Sequence, residues 1–380
     1  MAHPDHNPIL QVGTSRFLQA HADLFVSEAA SLGQALGNIT IVQTTHSAQG
    51  AARVAAFRRS GGYPVRIRGW QDGAQVDEER CAHAVTQAWQ AGSDWRQVRD
   101  AAVAARVIVS NTGDTGYQLD ASDHAGMLDG ALVPASFPAK LLVLLHGRFL
   151  AGAAPISIFP CELVADNGKV LRQVIVTLAR QWQLSPDAIS YLETGCLWIN
   201  SLVDRIVSEP IEPIGALAEP YALWAIEAQE GMLLPCRHPQ LVVTGSLREY
   251  EQRKLFLLNL GHTYLAQLWM ERGSPAGMTV REAMDDGAMR TALEALWHEE
   301  VLPVFAAMGA LHGDAALAYV AQVRERFCNP FLAHRLADIA QHHAGKIERR
   351  MAPVVALAQQ LCPALAQPRL RAMLAPGAQP

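Results

Sequence analysis

The sequence lacks the signals that mark several classes of protein. Its 31 basic and 36 acidic side chains give a net charge of −5, and no basic block offers a footprint for nucleic acid or anionic lipid. No apolar run reaches the length of a membrane span, and the first eight residues are polar, unlike a secretory signal. We therefore expect a cytoplasmic protein with neither nucleic-acid nor membrane partners, acting as a monomer or small homo-oligomer.

Paired cysteines are also missing. The spacing of the six cysteines includes no CxxC, which favours reduced thiols over a disulfide framework and predicts no metal site. They stand at Cys81, Cys161, Cys196, Cys236, Cys328 and Cys362.

What is present is enough apolar sequence for a sizeable core. Half of the 380 residues are hydrophobic and 18% are charged, which excludes a disordered chain and favours two domains. We place these at residues 1–190 and 191–380. Strand and helix patterns alternate in the first part, whereas helical periodicities dominate from Ser185 onward. The fold class predicted is an α/β Rossmann-type N-terminal domain followed by a mainly α-helical C-terminal domain.

The opening residues predict a dinucleotide-binding unit. A strand at Ile9–Val12 runs into a glycine turn and then a helical pattern over Leu18–Leu32. In such units, backbone N–H groups hold a pyrophosphate. The signal is weak by itself, because only one of the three usual glycines is present. The cofactor-binding candidates in this turn are Gly13, Thr14, Ser15, Arg16 and Phe17.

The second predicted strand, Ile39–Gln43, ends in Thr44-Thr45-His46 without an acidic residue. In NAD-binding proteins a carboxylate at this position normally accepts a hydrogen bond from the ribose 2′-hydroxyl. Because that carboxylate is missing here, the choice between NAD and NADP is left open. Thr44 is the candidate contact on this strand.

A further strand, Arg106–Ser110, runs into a polar, glycine-containing loop, residues 111–117. Loops at the carboxyl ends of strands build the ligand crevice of an open α/β sheet, so Asn111 and Thr112 are cofactor-binding candidates. The alternative is an ordinary turn, since these residue types are common turn formers.

Several more elements of the first half follow the same alternation. The sequence predicts a strand at Val65–Gly69, an apolar helix from Phe137 to Phe149 that contains Lys140, a strand at Pro155–Pro160 followed by Cys161-Glu162-Leu163, and a helix at Lys169–Trp182. In the second half, it predicts helices without intervening strands at Val280–Glu299, Ala315–Phe327 and Phe331–His343.

One stretch in the second half carries the pattern expected of a catalytic helix. Lys254, Asn259 and His262 lie on adjoining helical turns, separated by the apolar run Leu255–Leu258. Desolvation would lower the pKa of the lysine and suit it to act as a general base. Asn259 can donate to a developing oxyanion, and His262 can orient a hydroxyl group. The alternative is a surface helix whose lysine reaches water.

Other polar residues stand in apolar surroundings. The default interpretation of Asp204 and its neighbour Arg205 is a pair of surface charges. Alternatively, a buried Asp204 would take part in proton transfer or hold a substrate hydroxyl. Arg335 and Lys346 read either as solvated helix-end charges or as groups that hold a carboxylate.

Together these residues resemble the polyol-specific long-chain dehydrogenases, the mannitol dehydrogenase and hexuronate reductase family, over nearly the whole chain. The most specific match is the K-x4-N-x2-H pattern of Lys254, Asn259 and His262. The further matching segments are Gly13–His21, Ser110-Asn111-Thr112 with Gly116-Tyr117, Phe137–Leu141, Leu202–Ile206, and Asn329-Pro330-Phe331 with His334-Arg335-Leu336.

Within this family, Phe159–Leu163 is most similar to the tagaturonate reductase (altronate oxidoreductase) branch. Leu163 stands where the mannitol and mannonate branches carry an oxyanion-site asparagine.

The resemblance implies a metal-independent, NAD-dependent oxidoreductase, with NADP not excluded, that interconverts a sugar acid or polyol and its keto form. Lys254 would act as general acid/base, with Asn259, His262 and Asp204 as the other catalytic residues. Lys140 would belong to the cofactor site, and Glu162, Arg335 and Lys346 would bind the substrate. Two other readings stay open: an isomerase or epimerase that keeps NAD bound, and a non-catalytic nucleotide-binding sensor.

Overall fold

A computed structural model describes residues 7–45, 47–113, 115–152 and 154–375. Two compact units make up these residues. The first comprises residues 7–67, 78–218 and 222–247, and the second comprises residues 68–77, 219–221 and 248–375. The domain boundary predicted after residue 190 stays a prediction; the first unit, as the structure has it, includes residues 191–218.

The elements of the first unit alternate between strand and helix over most of its length; β3 and β4 also extend into residues 68–77. They are β1 Ile9–Val12, α1 Arg16–Gln19, α2 Ala22–Ser31, β2 Ile39–Gln43, α3 Ala48–Arg59, β3 Tyr63–Gln71, β4 Ala74–Ala82, β5 Val85–Gln90, α4 Trp95–Ala104, β6 Val107–Ser110, a 3-10 turn Ala125–Asp129, α5 Phe137–Leu150, β7 Ile156–Pro160, α6 Asn167–Gln181, α7 Pro186–Ser190, a π-helical turn Tyr191–Gly195, β8 Cys196–Trp198, β9 Ser201–Asp204, β10 Val207–Pro210, β11 Ala216–Ala218, β12 Leu223–Glu227 and β13 Leu241–Thr244.

A six-stranded sheet organises this unit, with strand order β5-β2-β1-β6-β7-β8 and every neighbouring pair parallel. This is the doubly wound order in which the chain reverses direction across the sheet between β1 and β6. The strands β1, β2, β6 and β7 are buried throughout, as parallel strands covered on both faces must be. The Rossmann-type fold predicted for the N-terminal part is confirmed.

One face of the sheet is covered by three helices. Leu10 and Ile108 of the sheet share a core cluster with Val98 of α4, Leu142 of α5 and Ile175 of α6. Because each of these side chains is fully withdrawn from water, apolar burial stabilises this layer.

Two smaller sheets were not predicted from the sequence. One has the order β10-β11-β3-β4, and the other the order β13-β12-β9. With β8 of the large sheet, six strands lie between Cys196 and Thr244, where we had expected helical periodicities to dominate, and that expectation is wrong. These strands are three to five residues long, and segments so short carry too few residues to display an alternating pattern.

The second unit is built mainly of helices, which confirms the predicted helical C-terminal part. Its elements are α8 Arg248–Arg253, a π-helical turn Lys254–Asn259, α9 Leu260–Glu271, α10 Val280–Asp285, α11 Gly287–Ala295, a π-helical turn Leu296–Val301, α12 Leu302–Ala307, α13 Ala310–Phe327, α14 Leu336–Ile339, α15 His343–Leu361 and α16 Pro368–Leu374. In the part of the chain described, no helix has the length and apolarity needed to cross a membrane.

The predicted helix Phe331–His343 is wrong. In its place the structure has an extended segment, the single turn α14 and the start of α15. The backbone of this segment pairs with a neighbouring segment: Val280 N–H donates to the carbonyl of His334 at 2.9 Å, and Leu336 N–H donates to Met278 at 2.9 Å. These bonds replace those that a helix would have formed.

Candidate active site

The glycine turn lies where β1 ends, at the switch point of the parallel sheet. Gly13 has φ +120° and its N–H donates to the carbonyl of Val42 at 2.9 Å. A methyl group on Gly13 would lie 2.5 Å from the carbonyl oxygen of Asn111, so only glycine fits here. In doubly wound sheets, the crevice outside the carboxyl ends of the strands at this point holds the ligand.

The loop after β6 is joined to this turn by side-chain hydrogen bonds. Ser15 Oγ donates to Asn111 Oδ1 at 3.1 Å and accepts from the N–H of Leu18, which makes Ser15 the N-cap of α1. Asn111 Nδ2 donates to the carbonyl of Cys161 at 2.8 Å, at the end of β7. The structure therefore brings two predicted cofactor residues, Ser15 and Asn111, into direct contact.

Glu162 holds the same loop from the other side. Its carboxylate is buried and accepts from Ser110 Oγ at 3.1 Å, from the N–H and Oγ1 of Thr112 at 3.0 Å each, and from Tyr117 Oη at 3.2 Å. Burial raises the pKa of Glu162, and the hydrogen bonds from Thr112 and Ser110 are among the contacts that oppose the increase. Both carboxylate oxygens are thus occupied by protein donors, and the predicted substrate contact of Glu162 stays a prediction.

Three other predicted cofactor residues surround the glycine turn. Thr14 is buried and its hydroxyl donates to the side-chain oxygen of Gln43 on β2. Phe17 stacks on His21 at 4.8 Å between ring centroids, and Thr44 is half-buried directly after β2. His46 and Asp114, which belong to the two predicted loops, lie outside the described residues.

Arg16 and Lys140 are occupied by structural contacts. Arg16 forms an ion pair with Glu212 at 2.9 Å and donates to the carbonyl of Gly215 at 3.0 Å. Lys140 is buried, and its Nζ donates to the carbonyl of Ala135 at 2.6 Å. Burial lowers the pKa of Lys140. A cofactor contact of either residue stays a prediction.

The predicted helix Leu18–Leu32 is interrupted between α1 and α2, and two distant residues bond to the break. Arg205 Nη1 donates to the carbonyl of Ala20 at 2.6 Å, and His21 Nε2 bonds to the carbonyl of Leu223 at 3.0 Å. Burial lowers the pKa of His21 to about 3, so the imidazole is neutral. Asp204, next to Arg205, is buried at the end of β9 rather than on the surface.

In the second unit, the predicted catalytic helix is helical, but its first turn has π geometry. Lys254–Asn259 form this turn, in which Leu260 N–H bonds to the carbonyl of Leu255, five residues earlier. On an α-helix, residues five apart point roughly 140° away from each other. In a π-helical turn the fifth residue lies about one turn on, so the backbone directs Lys254 and Asn259 to the same side. Turns of this kind recur at functional sites.

The apolar run between the two polar residues anchors the turn as predicted. Phe256, Leu257 and Leu258 are buried in the core cluster of this unit. Lys254 is half-buried, so some water reaches it, and Asn259 is half-buried too.

His262 lies on α9, one turn beyond Asn259, and is buried. Its ring stacks on Phe327 at 4.3 Å and meets the ring of His334 edge-on at 4.7 Å. Burial lowers the pKa of His334, partly offset by the charge of Asp338. The fold therefore brings together two histidines that lie 72 positions apart in the sequence.

The two predicted carboxylate-binding residues differ in their surroundings. Arg335 is exposed at the start of α14. Lys346 donates from Nζ to the carbonyl of Ile339 at 2.7 Å. Burial and then the positive charges of Arg350 and Arg349 lower the pKa of Lys346. Their role in binding a carboxylate stays a prediction.

Some structural partners of these residues were not identified in the sequence. Arg53 on α3 donates to the carbonyl of Thr14 in the glycine turn at 3.4 Å. Arg326 forms a buried bidentate ion pair with Glu219 at 2.8 and 3.0 Å, directly before Phe327. Arg326 stands in the charged run Arg324-Glu325-Arg326 near the end of α13, so the sequence carries no signal that this arginine is buried.

Comparison with known proteins gives the two parts of the chain separate matches. Residues 9–233 match the mannitol dehydrogenase Rossmann domain, and residues 246–376 match the mannitol dehydrogenase C-terminal domain. The chain belongs to the mannitol dehydrogenase family.

Several relatives named altronate oxidoreductase match over most of the chain. It is 30% identical over 389 residues to the altronate oxidoreductase of Yersinia pestis, covering 94% of this chain and 76% of the relative. It is 29% identical over 368 residues to the altronate oxidoreductase of Halalkalibacterium halodurans, covering 91% and 69%.

Two solved structures share the fold. A substrate-free D-sorbitol dehydrogenase superposes with a TM-score of 0.79 at 20% identity, covering 93% of this chain and 76% of the other. The mannitol 2-dehydrogenase of Pseudomonas fluorescens, solved with NAD and D-mannitol, superposes with a TM-score of 0.73 at 18% identity, covering 94% and 77%. The predicted family, the resemblance to altronate oxidoreductase, and the assignment as a dehydrogenase acting on a CH–OH group are confirmed.

Proposed function

We propose that this dehydrogenase oxidises a sugar acid of the altronate type, or a related polyol, to the keto form and catalyses the reverse reduction, with NAD as cofactor, no metal, and Lys254 as general acid/base. The observation that carries the proposal is the π-helical turn, whose backbone directs Lys254 and Asn259 to one side. The substrate class is taken from the relatives named altronate oxidoreductase.

The residues around the glycine turn fit a dinucleotide. Gly13 lets the backbone at Asn111 approach closely, since any side chain at Gly13 would meet the Asn111 carbonyl, and this contact lies at the switch point of a parallel sheet. Ser15, Asn111 and Thr112 follow the carboxyl ends of β1 and β6 and are held in place by their bonds to one another and to Glu162. A bound nicotinamide supplies the hydride acceptor in oxidation and the hydride donor in reduction.

Lys254 transfers the proton of the substrate hydroxyl group. In oxidation, its neutral amine removes the substrate hydroxyl proton as the carbinol C–H bond breaks, leaving a carbonyl group and an ammonium ion. In reduction, the ammonium returns that proton to the new hydroxyl. Partial exposure of Lys254 lets the proton exchange with solvent between turnovers.

The other side chains bind and orient the substrate. Asn259 donates N–H to the oxygen as negative charge develops on it. His262, fixed by stacking on Phe327, and Asp204 orient neighbouring hydroxyl groups. Arg335 and Lys346 hold the carboxylate of a sugar acid. A substrate contact of Glu162 would replace one of the bonds that its carboxylate accepts from Thr112 or Tyr117.

The proposal of a metal-independent reaction rests on which side chains could act as metal ligands. Zinc in alcohol dehydrogenation is held by cysteine and histidine ligands close together. Over the residues that the structure describes, no group of three or more His, Cys, Asp or Glu side chains is arranged to hold a metal ion. A lysine amine and an amide donor supply the proton transfer and the oxyanion contact without a Lewis acid.

Replacing Lys254 with alanine tests the mechanism. We expect kcat to fall by 10²–10⁴-fold, the usual contribution of general acid–base catalysis, while cofactor affinity stays within twofold. Lys169→Ala, at an exposed position near the start of α6, is the matched control and should leave both quantities unchanged. Steady-state kinetics and a cofactor fluorescence titration make the measurement. Near-normal turnover of Lys254→Ala would contradict the mechanism.

A substrate screen tests the reaction class. Five- and six-carbon aldonates and polyols, assayed with NAD and with NADP, should show a net change in nicotinamide absorbance with an aldonate of the altronate type. Cofactor binding without hydride transfer would instead support a nucleotide sensor. Purified protein that retains stoichiometric cofactor and turns over without a net absorbance change would support an isomerase or epimerase.

A further inference from the structure

We infer that Arg350 and Trp297 are positioning residues for the dehydrogenase reaction, because they bond to the backbone of the π-helical turn that presents Lys254 and Asn259. The inference rests on the function proposed above for that turn. Neither residue belongs to the sequence motif that defines the turn.

Arg350 contacts the end of the turn from α15. Its Nη1 donates to the carbonyl of Asn259 at 3.0 Å and to Thr263 Oγ1 at 2.7 Å, and Thr263 Oγ1 in turn donates to the Asn259 carbonyl at 3.1 Å. Thr263 is completely buried. The carbonyl of Asn259 therefore accepts from a guanidinium and a hydroxyl that themselves bond to each other.

Trp297 contacts the middle of the turn from another direction. Its Nε1 donates to the carbonyl of Leu257 at 3.2 Å, and its ring is fully buried. Gly261, the residue after the first residue of α9, allows this approach, since a methyl group there would lie 2.8 Å from Cζ2 of Trp297. Trp297 is itself the second residue of the π-helical turn Leu296–Val301.

The two donors counter the tendency of the chain to return to an α-helix. The π geometry is rare because α-helical bonding is more favourable, and an irregular turn persists where its surroundings hold it. Side-chain donors on carbonyls at two points of the same turn supply such support. If the turn relaxed, Lys254 and Asn259 would separate around the helix axis, and a displacement of about 1 Å at a catalytic group can cost roughly 10²-fold in rate.

Cofactor binding should not depend on these bonds, because all of the residues involved belong to the second unit and the glycine turn belongs to the first. Loss of Arg350 or Trp297 Nε1 is therefore expected to lower kcat and to spare cofactor affinity. A general loss of folding would lower both together.

The test uses Arg350→Ala, Arg350→Lys and Trp297→Phe in the full-length chain. Arg349→Ala, an exposed neighbour on the same helix, is the matched control. We expect kcat to fall 10- to 100-fold for Arg350→Ala, with partial recovery for Arg350→Lys because an ammonium can still reach one of the two acceptors. Trp297→Phe keeps a packed ring and loses only the indole N–H, so its kcat should fall about fivefold. Cofactor Kd should stay within twofold in each variant.

A combined substitution separates positioning from a purely structural effect. If Arg350 acts through Lys254 and Asn259, adding Arg350→Ala to the pair Lys254→Ala and Asn259→Ala should leave the residual rate unchanged, since residues that act as a unit are not additive. A further loss of rate in this triple variant would overturn the inference. The inference would also be overturned if Arg350→Lys and Trp297→Phe both had a kcat within twofold of the control. This second outcome can be measured even if Arg350→Ala fails to fold.

The outcomes also distinguish this inference from the proposed function. Full activity of Lys254→Ala would refute the proposed mechanism whatever the other variants do. An inactive Lys254→Ala alongside a fully active Arg350→Ala would refute the positioning role alone.

Discussion

The glycine turn allows one prediction to be worked through in detail: Gly13→Ala should disable the cofactor-binding unit. Gly13 has φ +120°, a backbone conformation that alanine adopts only under strain, at a cost of about 1–3 kcal/mol. The new methyl group would also lie 2.5 Å from the carbonyl oxygen of Asn111. That atom is backbone at the end of β6, and relieving such an overlap typically costs a further 1–3 kcal/mol or so.

Together these terms give about 2–6 kcal/mol, a large part of the roughly 5–15 kcal/mol that stabilises an ordinary domain. Each kcal/mol shifts the thermal midpoint by roughly 2–4 °C in a domain of 150–250 residues. The relief of the overlap must also move Asn111 away from Ser15, whose 3.1 Å hydrogen bond joins the two loops. Cofactor affinity should therefore fall at least tenfold as well.

Gly147→Ala is the control because we expect it to raise the stability of the folded chain, whereas Gly13→Ala should lower it. Gly147 lies inside α5, and a methyl group there would meet no atom within 4 Å. Alanine in an unstrained helix should stabilise the chain by about 0.4–1 kcal/mol. Differential scanning fluorimetry and a cofactor titration measure both variants. If Gly13→Ala matched the wild type in thermal midpoint and cofactor affinity, the argument from φ and the close approach would be wrong.

The remaining two predictions concern buried carboxyl groups. Burial raises the pKa of Asp23, which accepts from Tyr63 Oη at 2.6 Å, from its ordinary value of 3.8 to about 7. The folded protein therefore binds this proton more tightly than the unfolded chain. The free energy of unfolding should decrease as the pH rises from about 4 to about 7, by about 4 kcal/mol in all. Asp23→Asn should remove this dependence and raise the thermal midpoint at pH 8 relative to wild type; equal midpoints for the two proteins at pH 8 would contradict the assignment. Glu162→Gln replaces one of two acceptor oxygens by a donor, so it should loosen the loop held through Thr112 and Tyr117. We expect cofactor Kd to rise about tenfold, for one buried hydrogen bond lost at about 1–3 kcal/mol, and an unchanged Kd in fluorescence titration would refute that role.

Much of the first unit was predictable because its strands are local apolar runs. The bounds of β1 and β2 agree with the strands predicted at Ile9–Val12 and Ile39–Gln43, and β6 and β7 differ by one residue at their starts. A buried parallel strand needs only a short apolar segment between turn-forming residues, and such a segment is visible without its neighbours.

The motif of Lys254, Asn259 and His262 was visible in the same way, as polar residues at fixed spacing around an apolar run. The geometry of the turn was not. The turn receives hydrogen bonds from Arg350 and Trp297, which are 91 and 40 positions away from the residues whose carbonyls they bond. Periodicity reports which face of a helix is apolar, but it does not report which distant donor replaces a helical hydrogen bond.

The sequence by itself determined the family, the doubly wound first unit and the residues of the lysine motif, because these depend on local patterns of apolar and polar residues. Only the tertiary structure decided that Glu162 is enclosed by donors of one loop, that Lys140 is bonded to the carbonyl of Ala135, and that the backbone of His334 and Leu336 bonds to a neighbouring segment. In each case the deciding factor is where a buried polar group finds its hydrogen-bond partner. That partner is fixed by how the chain packs, and sequence neighbours do not reveal it.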